Sequence, residues 1–333
     1  MEFNSLNVSD IGEKGLINRI IEKNSKFSGK NFIGDDAALI ENNENYLIAT
    51  SDMLIQSAHF PKQMSYYQMG FKVVTVNISD IAAMGGLSIG FLFNISIPKN
   101  LKLLYFDEII EGVLAACKYY NVPLIGGDTN ESSEIILSGT ALGYVNKNKQ
   151  LLKHGFKKDD LIAITGELGL APLGFELLNK NMDFTNEFAD LAIYKALKPI
   201  AKNKEGIILS DYATSATDIT DGLSEELYEL FESDKLNSKS NRGIKIYESK
   251  FPIEKEFINL SNQVNKDIFD LFLNIGEDFE ILFTINKNSA KKLRKLMNFY
   301  VIGEITDSNK VEIVDLDGNV KILPKKGYEH LSN

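Results

Sequence analysis

The chain has 333 residues, of which 44% are hydrophobic and 25% charged, and a formal net charge of −10. That composition is globular and the length suits two domains, while the acidity argues against a nucleic-acid partner. The single cysteine, Cys117, excludes an intrachain disulfide, and no run approaches the roughly 18 apolar residues of a membrane span.

The predicted elements begin with a helix over 10–28, with Leu16, Ile17, Ile20 and Ile21 on one face. Residues 46–50 read as a strand and 66–84 as a helix that Gly85-Gly86 stops. A buried strand follows at 88–97 and a long helix at 101–120. Gly126-Gly127-Asp128 reads as a turn, followed by a strand at 135–137. Residues 146–150 are polar and aperiodic, and the domain boundary is placed there, giving units 1–146 and 147–333. Beyond it we expect a strand at 161–165, helices at 171–180 and 190–198, a strand at 216–219 and a helix at 224–232. A polar loop at 233–242 and strands at 279–285, 299–305 and 311–315 complete the reading. The order lacks strict βαβ repetition, which favours an α/β protein of the α+β type over a doubly wound sheet. The first residues, 1–5, lack the basic start and apolar core of a signal peptide, so a cytoplasmic location is expected.

The chemistry lies in a series of aspartates beside small or hydroxyl residues: Gly34-Asp35-Asp36-Ala37-Ala38, Thr50-Ser51-Asp52, Asn77-Ile78-Ser79-Asp80, Gly126-Gly127-Asp128-Thr129 and Thr217-Asp218-Ile219-Thr220-Asp221-Gly222. An apolar run that stops at Asp reads as a strand delivering a carboxylate to a sheet edge. Singly, each such Asp is an ordinary turn or N-cap residue. Together they point to carboxylates that converge, and converging carboxylates repel unless cations lie among them. Hard oxygen ligands of this kind suit Mg²⁺ with substrate phosphates. Spacing alone leaves open which of Asp35 and Asp36 ligates. Arginine occurs only at positions 19, 242 and 294, so bidentate guanidinium contacts cannot dominate phosphate binding.

No Walker-type phosphate loop and no protein-kinase motif set is present. Gly166-Glu167-Leu168-Gly169 reads as a plain strand-to-helix turn. Lys72 is either a phosphate ligand or a solvated charge on its helix. His59 follows the Thr50–Asp52 motif closely enough to be a candidate substrate contact. His154 and His330 have no sequence partner that suggests a triad.

In their order and spacing these motifs resemble the thiamine-monophosphate kinase family. The resemblance also takes in His59-Phe60, residues 76–85, 124–129 and 217–223, Gly276-Glu277-Asp278-Phe279-Glu280-Ile281 and Lys326-Gly327-Tyr328. It runs from residue 12 to 330. It implies a two-domain fold shared with aminoimidazole ribonucleotide synthetase, in which 1–146 binds ATP and Mg²⁺ and dimerises and 147–333 completes the cleft. The implied reaction converts ATP and thiamine monophosphate to ADP and thiamine diphosphate. The implied Mg²⁺ ligands, for several ions, are Asp36, Thr50, Ser51, Asp52, Asp80, Asp128, Asp218 and Asp221. Gly127, Asp128, Lys153 and Thr220 would contact ATP or its metal, and His59, Glu277 and Tyr328 would contact thiamine monophosphate. A homodimer is expected, with no nucleic acid and no membrane. Three positions depart from the family pattern: Thr50-Ser51 for Ser-Thr, Thr220 for Ser, and Lys153 where an arginine usually meets ATP. The alternatives are another ATP-using member of the same superfamily or a non-catalytic Mg²⁺–nucleotide-binding protein.

Overall fold

The computed structural model describes residues 7–28, 34–180 and 186–328. The first part of the chain runs α1 (Gly12–Ser28), β1 (Ala38–Asn42), β2 (Asn45–Ile55), the short α2 (Gln56–His59), α3 (Tyr66–Ala83), β3 (Leu87–Ile97), α4 (Leu103–Tyr120), β4 (Leu124–Glu131) and β5 (Ile136–Asn146). Its five strands form one sheet in the order β1-β2-β5-β3-β4. All pairings are antiparallel except β3 with β4.

The second part runs β6 (Leu161–Ile164), α5 (Leu170–Lys180), α6 (Glu187–Leu197), α7 (Asn203–Leu209), β7 (Ser215–Asp218), α8 (Leu223–Ser238), β8 (Gly243–Tyr247), α9 (Lys255–Gln263), α10 (Ile268–Leu273), β9 (Ile281–Ile285), α11 (Lys287–Leu293), β10 (Tyr300–Thr306), β11 (Val311–Val314) and β12 (Val320–Ile322). Its sheet has the order β12-β11-β8-β10-β6-β9-β7, with β8 and β11 parallel. Two mixed sheets flanked by helices, with no doubly wound order, are what the sequence led us to expect.

Helix α3 is the pivot of the molecule. Fourteen of its residues are buried, which explains its apolar run from Val73 to Ala83. Ser65 caps it through a reciprocal pair with Gln68, the capping-box arrangement. On one side it packs on the first sheet, in a core with Ile48, Phe91, Ile95 and Leu137 that also takes in Phe279 from the second part of the chain. On the other, Ala82 joins a core with Leu209, Ala216 and Phe283. One helix thereby ties both sheets together and holds its own polar residues between them.

Several local expectations change. Residues 126–128 are not a turn: they lie inside β4, paired with Phe93 and Asn94 of β3. Gly127 allows that pairing, since a Cβ there would stand 1.7 Å from the Phe93 carbonyl oxygen. Strand β2 runs on past Asp52, because its long register with β5 continues to Ile55. Of the five aspartate motifs only Asp218 ends a strand; Asp80 lies within α3. Helix α8 continues to Ser238, through half of the expected polar loop, as its interior Asp234 is buried and bonded to Ser238, Ser240 and Arg242. Helix α7 and strands β1, β8 and β12 were not read from the sequence. On the apolar face of α1, Ile17 and Ile20 are exposed and Leu16 and Ile21 half-buried.

Candidate active site

Where β2, α3 and β7 meet, the chain assembles four carboxylates. Asp36 precedes β1 and is reached by two donors, Thr217 Oγ1 at 2.9 Å and Lys153 Nζ at 2.8 Å. Asp52 and Thr50 project from the same side of β2, two residues apart, as strand periodicity requires. Thr50 donates its hydroxyl to Asp80, and the backbone N–H of Asp52 donates to Asn77 Oδ1 at 3.2 Å. Asp218 ends β7 and is 3% exposed. Ser51 lies between Thr50 and Asp52, and its hydroxyl turns to β5 instead, donating to the Gly139 carbonyl at 2.8 Å.

The electrostatics of this group follow from burial and crowding. Burial raises the Asp80 carboxyl well above its ordinary range, and the charges of Asp52, Asp218 and Asp36 raise it further. Burial likewise raises Asp36 against the opposing pull of Lys153. It lifts Asp218 to about 8, with Asp36 adding to the shift. Asp52 is raised by burial too. Asp221 is pushed up to about 6, by burial first and then by the charges of Glu229 and Glu13. Asp36 Oδ2 and Asp218 Oδ2 are buried without a hydrogen-bond partner. An ionised oxygen in that position is costly unless a cation or a proton reaches it.

Beside this cluster opens a cleft of about 990 Å³. Ser51, Asp52 and Asp80 border it from the first part of the chain, and Thr220, Asp221 and Glu277 from the second. His59 and Tyr328 stand on its wall as well. The His59 Nδ1 accepts the Ile55 N–H at 3.0 Å, which fixes the ring at the end of β2. The Tyr328 N–H donates to the Asp221 carbonyl at 3.1 Å, which holds Tyr328 at the cleft edge.

The motif 276–280 divides its acidic side chains among three tasks. Glu277 faces the cleft. Asp278 turns away and accepts the N–H groups of Gly169 and Ala171, at the start of α5; anionic groups are favoured at a helix N-terminus. Glu280 is buried, accepting from Thr165 Oγ1 at 2.7 Å and pairing with Lys202 at 3.0 Å. Gly276 permits the loop to approach Thr220, whose carbonyl oxygen would lie 1.7 Å from a Cβ.

Not all sequence candidates converge. Gly127 and Asp128 lie on β4, an edge strand exposed along its whole length, and neither borders the cleft. Lys153 is not a solvated residue of its polar stretch: its side chain is 12% exposed and its ammonium bridges Asp36 and Glu229, 2.8 and 2.5 Å away. Its backbone N–H donates to Asp35 Oδ1 at 2.8 Å, so the two adjacent aspartates face different partners. Lys72 is not a surface charge either. It is 1% exposed and pairs with Glu277 at 2.5 Å. The sequence reading missed Glu13, which borders the cleft, and the buried Glu226, which accepts the Thr220 and Asp221 N–H groups. Its place at the first turn of α8, just after Asp221-Gly222, was the available signal. His330 lies outside the described residues.

Among the described residues no three Asp, Glu, His or Cys side chains together form a ready-made metal cage. Mg²⁺ seldom uses one: it takes one or two carboxylates and fills its octahedron with water and substrate phosphates. The unpartnered buried oxygens of Asp36 and Asp218, beside Asp52 and Asp80, fit that pattern.

Comparison with known proteins identifies the relatives of this chain. Residues 34–145 match the family of the AIR synthase related protein, N-terminal domain. The chain is 38% identical to the thiamine-monophosphate kinase of Pyrococcus horikoshii, over 90% of its own length and 91% of that protein's. It is 35% identical to the thiamine-monophosphate kinase of Buchnera aphidicola, over 95% and 97%. A solved structure, AaThiL complexed with AMPPCP and TMP, superposes with a TM-score of 0.86 at 28% identity, covering 98% of this chain and 99% of that one. At this identity over nearly the whole length, the chain belongs to the thiamine-monophosphate kinase family.

Proposed function

We propose that the protein transfers the γ-phosphoryl group of ATP to thiamine monophosphate, releasing ADP and thiamine diphosphate. The observation that carries this reading is one cleft that unites His59, Glu277 and Tyr328 with Asp52, Asp80, Thr220 and Asp221, in a chain related end to end to thiamine-monophosphate kinases.

A terminal oxygen of the substrate phosphate forms the new P–O bond while the bond between the γ-phosphorus and the β,γ-bridging oxygen breaks. The acceptor is a phosphate monoester with a second pKa near 6, already mostly dianionic at neutral pH. No side chain has to remove a proton, and the cleft needs no general base. Its task is to bring two polyanions together in line and offset their charge. Asp36, Thr50, Asp52, Asp80, Asp218 and Asp221 are the residues that would hold Mg²⁺, which when bound supplies Lewis-acid neutralisation of phosphate oxygens. We include Ser51 and Asp128 in that ligand set, although Ser51 bonds to β5 and Asp128 lies on an edge strand. Gly127, Lys153 and Thr220 are assigned to the nucleotide, and His59, Glu277 and Tyr328 to thiamine monophosphate, whose cationic thiazolium ring suits a carboxylate neighbour.

We further propose a homodimer joined through the N-terminal domain, 1–146, with 147–333 closing the cleft. The uncovered edge of β4, with exposed Leu124 and Ile125, supports that face, since a bare sheet edge is normally paired or shielded. Among the described residues no helix is long and apolar enough to cross a membrane, and we place the enzyme in the cytoplasm.

The test is product chromatography with purified protein, thiamine monophosphate and ATP, with and without Mg²⁺. Thiamine diphosphate should form only with all three present. Turnover of a different phosphate acceptor, with none of thiamine monophosphate, overturns the reading.

A further inference from the structure

Lys72 is the least expected residue in the molecule. It occupies a buried position of α3 among Gly70, Phe71, Val73 and Val74, where an aliphatic side chain would pack without charge. Lysine is almost never fully buried unless paired, and an ammonium is costly to remove from water. Its partners are the Glu277 carboxylate at 2.5 Å and the His59 carbonyl at 3.1 Å. Both partner residues stand on the cleft wall, as does Lys72 itself. They come from distant parts of the chain: the end of α2, and the loop between α10 and β9.

That loop is also strained. Glu277 has φ of +72° and Phe279 φ of +51°, values that L-residues with a side chain adopt rarely. Such conformations persist when surrounding contacts over-determine them. The backbone supplies two, Glu277 N–H to the Thr220 carbonyl at 2.8 Å and Phe279 N–H to the Ile219 carbonyl at 3.0 Å. Neither orients the Glu277 side chain. Lys72 does, from a helix that cannot move without disturbing both cores.

We propose that Lys72 is a positioning residue for the acceptor substrate: by holding the Glu277 carboxylate and the His59 carbonyl on one ammonium, it sets the geometry of the thiamine-binding wall. This rests on the functional reading above and refines it. It separates this wall from the acidic cluster beside the cleft, because the Asp36–Lys153 pair has its own buried ion pairs and does not share Lys72.

The experiment is a double-variant cycle on the full chain, with Lys72→Met, Lys72→Arg, Glu277→Gln and the pair Lys72→Met/Glu277→Gln. Losing one partner of a buried charge pair is expensive, so Lys72→Met should raise the KM for thiamine monophosphate about tenfold or more. The KM for ATP should stay within about twofold. Lys72→Arg should recover part of the loss. The double variant should be no worse than the poorer single one, since the interaction is already gone. If Lys72→Met folds poorly, the double variant, which buries no unpaired charge, and Glu277→Gln, at a partly exposed site, still read the coupling. Additive effects, or equal rises in both KM values, overturn the proposal. Calorimetric binding of thiamine monophosphate to the wild-type protein separates the two levels. No binding and no turnover by the wild type sinks the functional reading together with this one. Wild-type binding and turnover with an additive cycle sinks this one alone.

Discussion

At the scale of single residues, the structure gives the aspartates unequal environments. Asp52 borders the cleft, is raised by burial and lies among carboxylates that raise one another. Asp52→Asn should reduce turnover by about a hundredfold or more, since charge neutralisation at a transferring phosphoryl group is worth several kcal/mol. The same change should raise the melting temperature of the Mg²⁺-free protein, because it removes a repelling charge. Steady-state kinetics and a thermal melt read the two effects, and near-normal turnover at low Mg²⁺ removes Asp52 from the ligand set. Lys153 makes a contrasting prediction. Its ammonium neutralises Asp36 and Glu229, and those charges hold its pKa well above the usual lysine value against the opposing pull of burial. Lys153→Ala should cost roughly 3 kcal/mol in urea unfolding, since a buried charge is left uncompensated. It should also raise the KM for ATP while leaving that for thiamine monophosphate unchanged. An unaltered ATP KM would place this lysine in the scaffold alone. The motif that carries Asp36 was plain in the sequence, but the two adjacent carboxylates could not be told apart there. Their difference is one of partners, the Lys153 N–H for Asp35 and the Lys153 ammonium for Asp36, and a partner 118 residues away leaves no local pattern.

At the scale of elements, the loop 276–279 shows how tightly the cleft is built. Gly276 lies against the Thr220 backbone with no room for a methyl group. Gly276→Ala should therefore displace the loop, costing about 2 kcal/mol of stability and raising the KM for thiamine monophosphate through Glu277. Denaturant melts and kinetics check both, and a variant with unchanged KM would disconnect this loop from the acceptor. Helices α3, α4 and α5 were legible from their apolar residues, and Gly85-Gly86 marks the end of α3. Strand β4 was not. Gly126-Gly127-Asp128 carries the composition of a turn, and it is the close register with Phe93 and Asn94 that makes it extended. Helix α7 was missed for a related reason: it is seven residues long and is held by tertiary contact, with Gly206 packed on the Ala82 backbone.

At the scale of the whole molecule, crowded acids leave a pH signature. Asp218 and Asp221 are raised to about 8 and about 6, and Asp36, Asp52 and Asp80 are raised as well. A carboxyl whose folded pKa exceeds its unfolded value favours folding below the unfolded pKa, and that stability is lost as pH rises through the folded pKa. The metal-free protein should thus melt at a higher temperature near pH 6 than near pH 8. Glu229 is shifted downward, chiefly by Lys153 working against its burial, and its contribution is already in place across that window. Mg²⁺ with a non-hydrolysable ATP analogue should flatten the dependence, because a ligand that binds only the folded state stabilises it by mass action. A melting temperature that rises with pH without metal would show that the acidic cluster is not under strain. What the sequence determined by itself is the family and the mixed α/β class, since these depend on local motifs and their order along the chain. Only the tertiary structure decided which carboxylates meet, that Lys72 and Lys153 are buried partners and not surface charges, and that Asp128 stands apart on an open edge. Those facts depend on α3 passing between two sheets and bringing residues hundreds of positions apart within a few ångströms, and pairwise contact at that separation is not written in any short stretch of sequence.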